Sequence, residues 1–124
     1  MENLHRRIHI SRKIFLILAW IYVACIVVQT FIAGMAFFTS STWKYHTTFV
    51  IWFQFTPIIM LILSFIGQLP KKIRWQVVGL FLLIVPLQYI SINIPAIAAI
   101  HPVIPLVLFW LGLVIIKQTR MIIK

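Results

Sequence analysis

Acid is almost missing from this chain: Glu2 is the one carboxylate side chain in 124 residues. That scarcity removes the paired carboxylates of general acid–base catalysis, metal sites built on Asp and Glu, and the Ser-His-Asp triad. Cysteine is nearly absent too. Cys25 stands alone, so neither an internal disulfide nor a cysteine-built metal site can form. The glycines, at 34, 67, 79 and 112, are too scattered for a Gly-x-x-x-Gly helix-dimer face. Formal charge is missing from three long stretches, Ile14–Phe38, Thr47–Leu69 and Trp75–Ile116. Proton pumps, ion-coupled transporters and voltage sensors are usually marked by a carboxylate or arginine inside such a run.

What the chain has instead is apolar surface. Its residues are 63% hydrophobic and 10% charged, against about 25% charged for soluble domains. A soluble core of this size cannot hide so much, because small domains have the least favourable ratio of surface to volume. Lipid must be the solvent. The first two runs are each long enough to cross about 30 Å of hydrocarbon at 1.5 Å per residue. The third is roughly twice one span and must reverse. Ser91-Ile92-Asn93-Ile94-Pro95 supplies the turn, and His101-Pro102-Val103-Ile104-Pro105 a second break. The expected fold is all-α: one transmembrane domain over residues 1–124, an antiparallel four-helix bundle with helices near 14–38, 47–69, 75–92 and 102–120. Pro95–Ile100 then forms a short surface turn, and Pro102 fits the first turn of the last helix.

Basic residues set the orientation. Arg6, Arg7, Arg12 and Lys13 precede the first helix, Lys71, Lys72 and Arg74 join the second to the third, and Lys117, Arg120 and Lys124 follow the fourth. Lys44 alone lies on the other side. Positive-inside bias then places both termini in the cytoplasm of a multi-pass inner-membrane protein. The same bias accounts for the net charge of +10 without a nucleic-acid partner. The first helix resembles a secretory signal, but its apolar run is about twice the usual 7–15 residues and continues past Cys25. Pro57 and Pro86 fall within spans, where each kinks its helix and frees a carbonyl near Phe53 and Leu82.

Polar residues within the spans are few and gathered toward one end. Gln29, Gln54 and Gln88 sit in the outer halves of three helices, while His46 and His101 each open a helix at the same face. Amides in lipid need partners, so the glutamines are expected to turn inward.

Gln29-Thr30-Phe31-Ile32-Ala33-Gly34-Met35-Ala36-Phe37-Phe38, the lone His46 after an aromatic loop, and Ala99-Ile100-His101-Pro102-Val103 followed by Phe109-Trp110-Leu111 form a recognisable set. They resemble an uncharacterised family of small bacterial four-helix integral membrane proteins. The resemblance covers nearly the whole chain and implies the fold but no activity. Ile104 and Pro105 stand where relatives carry Asn and Gly, and Ile51 where some carry a further histidine.

Two functional readings follow. One is a non-catalytic accessory or contact-acting protein, whose partners are the bilayer and another membrane protein or a second copy. The other is a b-type haem protein with His46 and His101 as candidate axial ligands, supported by Gln29, Gln54, Gln88 and Lys44, with Trp52 and Phe53 walling the ring. In a third reading, both histidines are simple interfacial groups that hydrogen-bond a loop.

Overall fold

The computed structural model describes residues 1–39 and 42–123. Ser40, Ser41 and Lys124, the last of the basic residues named above, lie outside the described residues.

Helix α1 runs from Glu2 to Phe38, 37 residues, or about 55 Å. It begins well before the apolar run at Ile14. The basic segment is rich in good helix formers, and neither Gly nor Pro interrupts the chain before Gly34. Charge marks where lipid begins, not where the helix does.

The second apolar segment, Lys44–Ile66, is two helices, α2 (Lys44–Phe53) and α3 (Thr56–Ile66), separated by a turn at Gln54 and Phe55. Pro57 lies in the first turn of α3 and has no N–H to offer the Phe53 carbonyl, so the ladder restarts there. The third segment, Lys71–Asn93, absorbs its proline differently. Between α4 (Lys71–Leu82) and α5 (Gln88–Asn93), a π-helical turn at Leu83–Leu87 holds Pro86 and takes up the lost bond without breaking the helix.

Ile94 is extended, at φ −118° and ψ 107°, as suits a residue before proline. The Asn93 amide donates back to the Tyr89 carbonyl at 2.7 Å and closes α5. A 3₁₀ helix, Pro95–Ile100, leads to a turn at 101–103 and then to α6 (Ile104–Ile123). Pro105, not Pro102, therefore occupies the first turn of the last helix. Its ladder donors begin at Leu106 and Val107, both bonding the Val103 carbonyl, so the later proline decides where the helix starts.

Among the described residues there is no strand, and four segments are long and apolar enough to cross a membrane. Helix α1 packs on α3 and α6, and α4 packs on the same two. The buried positions step by three and four along each helix. Phe15, Ala19, Tyr22, Val23 and Ile26 do so on α1, Ile73, Val77 and Leu80 on α4, and Leu108 and Ile115 meet them from α6. The opposite faces, with Trp20, Phe31, Phe65 and Trp110, are exposed and equally apolar.

Arg12 ties this assembly together at its basic end. Its Nε donates to the Gly67 carbonyl at 2.7 Å and its guanidinium to the Gln68 carbonyl at 3.4 Å. Those are carbonyls at the C-terminus of α3, where a cation also meets the negative end of the helix dipole. Arg12→Gln is expected to lower stability by about 1.5–3 kcal/mol, the range for a hydrogen bond to a charged group. Arg12→Lys should recover only part of that, since it keeps the charge and loses the fork. Thermal unfolding in detergent checks the order; equal stability of wild type and Arg12→Gln refutes it.

Candidate functional site

At the end of the molecule away from the basic clusters, the spans part around a cavity of about 520 Å³. This is well within the 300–1,000 Å³ common for small-molecule sites. All four apolar segments contribute to its wall: Ile26 and Gln29 from the first, His46 and Phe53 from the second, Ile84 and Gln88 from the third, and Leu108 from the last, with His101 from the turn before it. The wall is mostly apolar and includes the small side chains of Thr30, Ala33 and Thr47.

The two proline-driven irregularities build this space. The α2–α3 break leaves Gln54 buried at the bend, where its Oε1 accepts the Tyr89 hydroxyl at 3.1 Å. The π-helical turn at Pro86 re-aims α5, so that Gln88 and Tyr89 both line the cavity.

His46 lies in the first turn of α2, and its backbone carbonyl accepts the Gln29 side-chain N–H at 2.8 Å. That bond fixes the Gln29 amide, which is 8% exposed, and leaves its Oε1 without a partner. His46 Nδ1 and Gln88 Oε1 are likewise buried and unpartnered. Trp43 stands edge-on to the His46 ring at 5.6 Å.

His101 is held differently. Its Nδ1 lies 3.3 Å from the Gln88 carbonyl and 3.5 Å from Ser91 Oγ, and Ser91 itself donates to that carbonyl at 2.9 Å. A carbonyl beside Nδ1 favours the proton there, which leaves Nε2 with a free lone pair. The two imidazoles lie edge to face, with centroids 6.5 Å apart and planes at 64°.

The structure thus brings His46, His101, Gln29 and Gln88 to one cavity and puts Gln54 one hydrogen bond behind it. Lys44 is exposed and does not line the space. Trp52 does not wall it either. At 81% exposure it faces outward, because it follows Ile51 on the lipid side of α2, whereas Phe53 turns in. Sequence reasoning took Ser91 only as a turn signal and passed over Tyr89. The three-residue step from Gln88 to Ser91, one face of one helix, was the available clue.

Among the described residues, no group of three or more His, Cys, Asp or Glu side chains is placed to hold a metal ion. A bare polydentate ion site is therefore not what this cavity offers. What it offers is two neighbouring imidazoles, mostly apolar walls and two unpaired amide oxygens, those of Gln29 and Gln88.

No curated protein and no solved structure matches the chain. A family match does cover residues 29–94, a stretch that includes Gln29, His46, Gln54, Gln88 and Ser91 and stops short of His101. It is to a family of unknown function (DUF6220), and the chain belongs to that family.

Proposed function

We propose that this is an antiparallel four-helix membrane protein that holds a b-type haem between His46 and His101. The observation that carries the reading is that both imidazoles line one mostly apolar cavity of about 520 Å³, with their centroids 6.5 Å apart. The Gln88 carbonyl on His101 Nδ1 is the kind of partner that orients a ligating imidazole. Thr30, Ala33 and Thr47 supply the small residues a flat ring needs beside it, in place of glycine. When bound, the haem would supply one-electron chemistry. The chain's own part is to ligate it, exclude water from it and set its polarity with Gln29, Gln88 and Tyr89.

The experiment is a reduced-minus-oxidised absorption spectrum of protein purified in detergent from haem-replete cells. A sharp reduced-state band supports the reading. A colourless protein that co-purifies with a membrane partner returns the weight to an accessory, contact-acting role.

The proposed setting is the inner membrane of a bacterial cell, with both termini in the cytoplasm and the cavity toward the outer face. Ten basic residues at one end against Lys44 at the other support that orientation. In a background with Cys25→Ala, a cysteine at exposed Thr42 is expected to react with an impermeant maleimide on intact cells. One at exposed His5 is expected to react only after lysis. The reverse pattern would turn the molecule over.

A further inference from the structure

A second groove, of about 330 Å³, lies at the basic end between α1 and α6, formed by Trp20, Leu113, Ile116, Lys117, Arg120 and Met121. It shares no residue with the histidine cavity. Lys117 and Arg120 are three apart on one helix and so present their charges on one face. Both are exposed. The only carboxylate side chain in the sequence, Glu2, opens α1, far along the helix from Trp20. Two cations thus stand over a floor of Leu113 and Ile116 and beside an indole, and among the described residues no acidic side chain lies near them.

We propose that this groove binds an anionic glycerophospholipid. Its phosphate lies against Lys117 and Arg120, and one acyl chain runs along Trp20, Leu113 and Ile116. The positions suit the parts. Lys117 sits nearly one turn deeper in α6 than Arg120, so its methylene stem covers apolar surface while its ammonium reaches back to the headgroup level. Arg120 offers a planar fork that grips phosphate oxygens in pairs. Trp20 brings an apolar ring with one polar edge, a side chain favoured where acyl chains meet headgroups. Basic pockets between transmembrane helices on the cytoplasmic side are the usual seats of anionic headgroups. A free phosphate shares the headgroup chemistry but has no use for the apolar floor, and so the lipid is the better occupant.

The test is native mass spectrometry of the full chain in mild detergent, titrated with phosphatidylglycerol or with phosphatidylcholine of identical acyl chains. The two side chains together should give a preference of about thirtyfold for phosphatidylglycerol. Lys117→Gln with Arg120→Gln should bring that preference close to one. Arg6→Gln with Arg7→Gln, which removes the same charge from exposed positions of α1, should leave it within about twofold. Equal binding of both lipids by the wild type overturns the proposal, and so does an equal loss in the two double variants, which would mean diffuse attraction. Displacement of phosphatidylglycerol by excess inorganic phosphate would also overturn it, in favour of a bare anion site. Circular dichroism of each variant guards against misfolding, and Trp20→Ala, which keeps every charge, is expected to weaken both lipids alike.

Discussion

His46→Ala and His101→Ala are each expected to abolish the reduced-state haem band of the purified protein. Neither loss should depend on a general collapse of the fold. His46 sits in the first turn of α2, and its structural link to α1 runs through its backbone carbonyl, which the substitution keeps. The hydrogen-bond contacts of the His101 ring are to the Gln88 carbonyl and Ser91, and that serine retains its own bond to the same carbonyl. Circular dichroism should therefore stay helical in both variants while the band disappears. Ser91→Ala separates orientation from ligation. It removes the 3.5 Å neighbour of His101 Nδ1 but leaves the carbonyl, so the haem should still bind, with a shifted reduction potential. Persistence of the band in both alanine variants would remove these histidines as ligands. Loss of helicity together with the band would make them structural.

The sequence made the presence of four apolar segments legible for a simple reason. A formal charge in a span is costly and rare, so the gaps between Lys13 and Lys44, Lys44 and Lys71, and Arg74 and Lys117 announce themselves, the last being long enough for two spans. The helix ends were less visible. α1 extends back to Glu2 because basic residues are helix formers, and hydropathy does not register that. Pro105 superseded Pro102 because the later of two close prolines sets the first ladder donor. The site was half legible. Polar residues in an apolar run stand out, which is how Gln29, His46, Gln88 and His101 came to attention, and all four line one cavity. Which face of each helix turns inward could not be read from apolar pattern, because a lipid-facing side such as that of Trp52 or Phe65 is as hydrophobic as the core. That is why Trp52 looked like a wall of the site and Phe53 no better a candidate than its neighbour. The π-helical turn at Pro86 was also beyond reach: a proline announces a kink, but not whether the helix breaks, as at Pro57, or swells around it.

Gly112→Leu is expected to unseat α1 from α6, the most extensive helix contact in the molecule, and to lower stability by about 3 kcal/mol or more, beyond the usual 1–3 for an overpacked core. Even the first added carbon is too much. A Cβ at Gly112 would stand 2.6 Å from Cγ2 of Val23, inside any real contact distance. Valine is branched at Cβ and stiff about χ1, so it cannot swing aside cheaply, and Ala19 and Ile26 hold it from either side along the buried row of α1. The helices must separate instead. In lipid that separation costs more than the overlap alone, because close van der Waals contact is much of what holds transmembrane helices together. Gly112→Ala should therefore lose about 1–3 kcal/mol, and Val23→Ala in the same chain should restore most of it by vacating the clash, a coupling that a double-mutant cycle reads directly. Gly34 is the internal control. Among the described residues, no neighbour outside its own helix backbone lies within 4 Å of its Cβ position, so Gly34→Ala is expected to be neutral or stabilising by up to about 1 kcal/mol through helix propensity. Unfolding in mixed detergent micelles supplies the measurement. If Gly34→Ala and Gly112→Ala cost the same, or if Val23→Ala rescues nothing, the close approach of α1 and α6 at Gly112 is not what holds the two helices together.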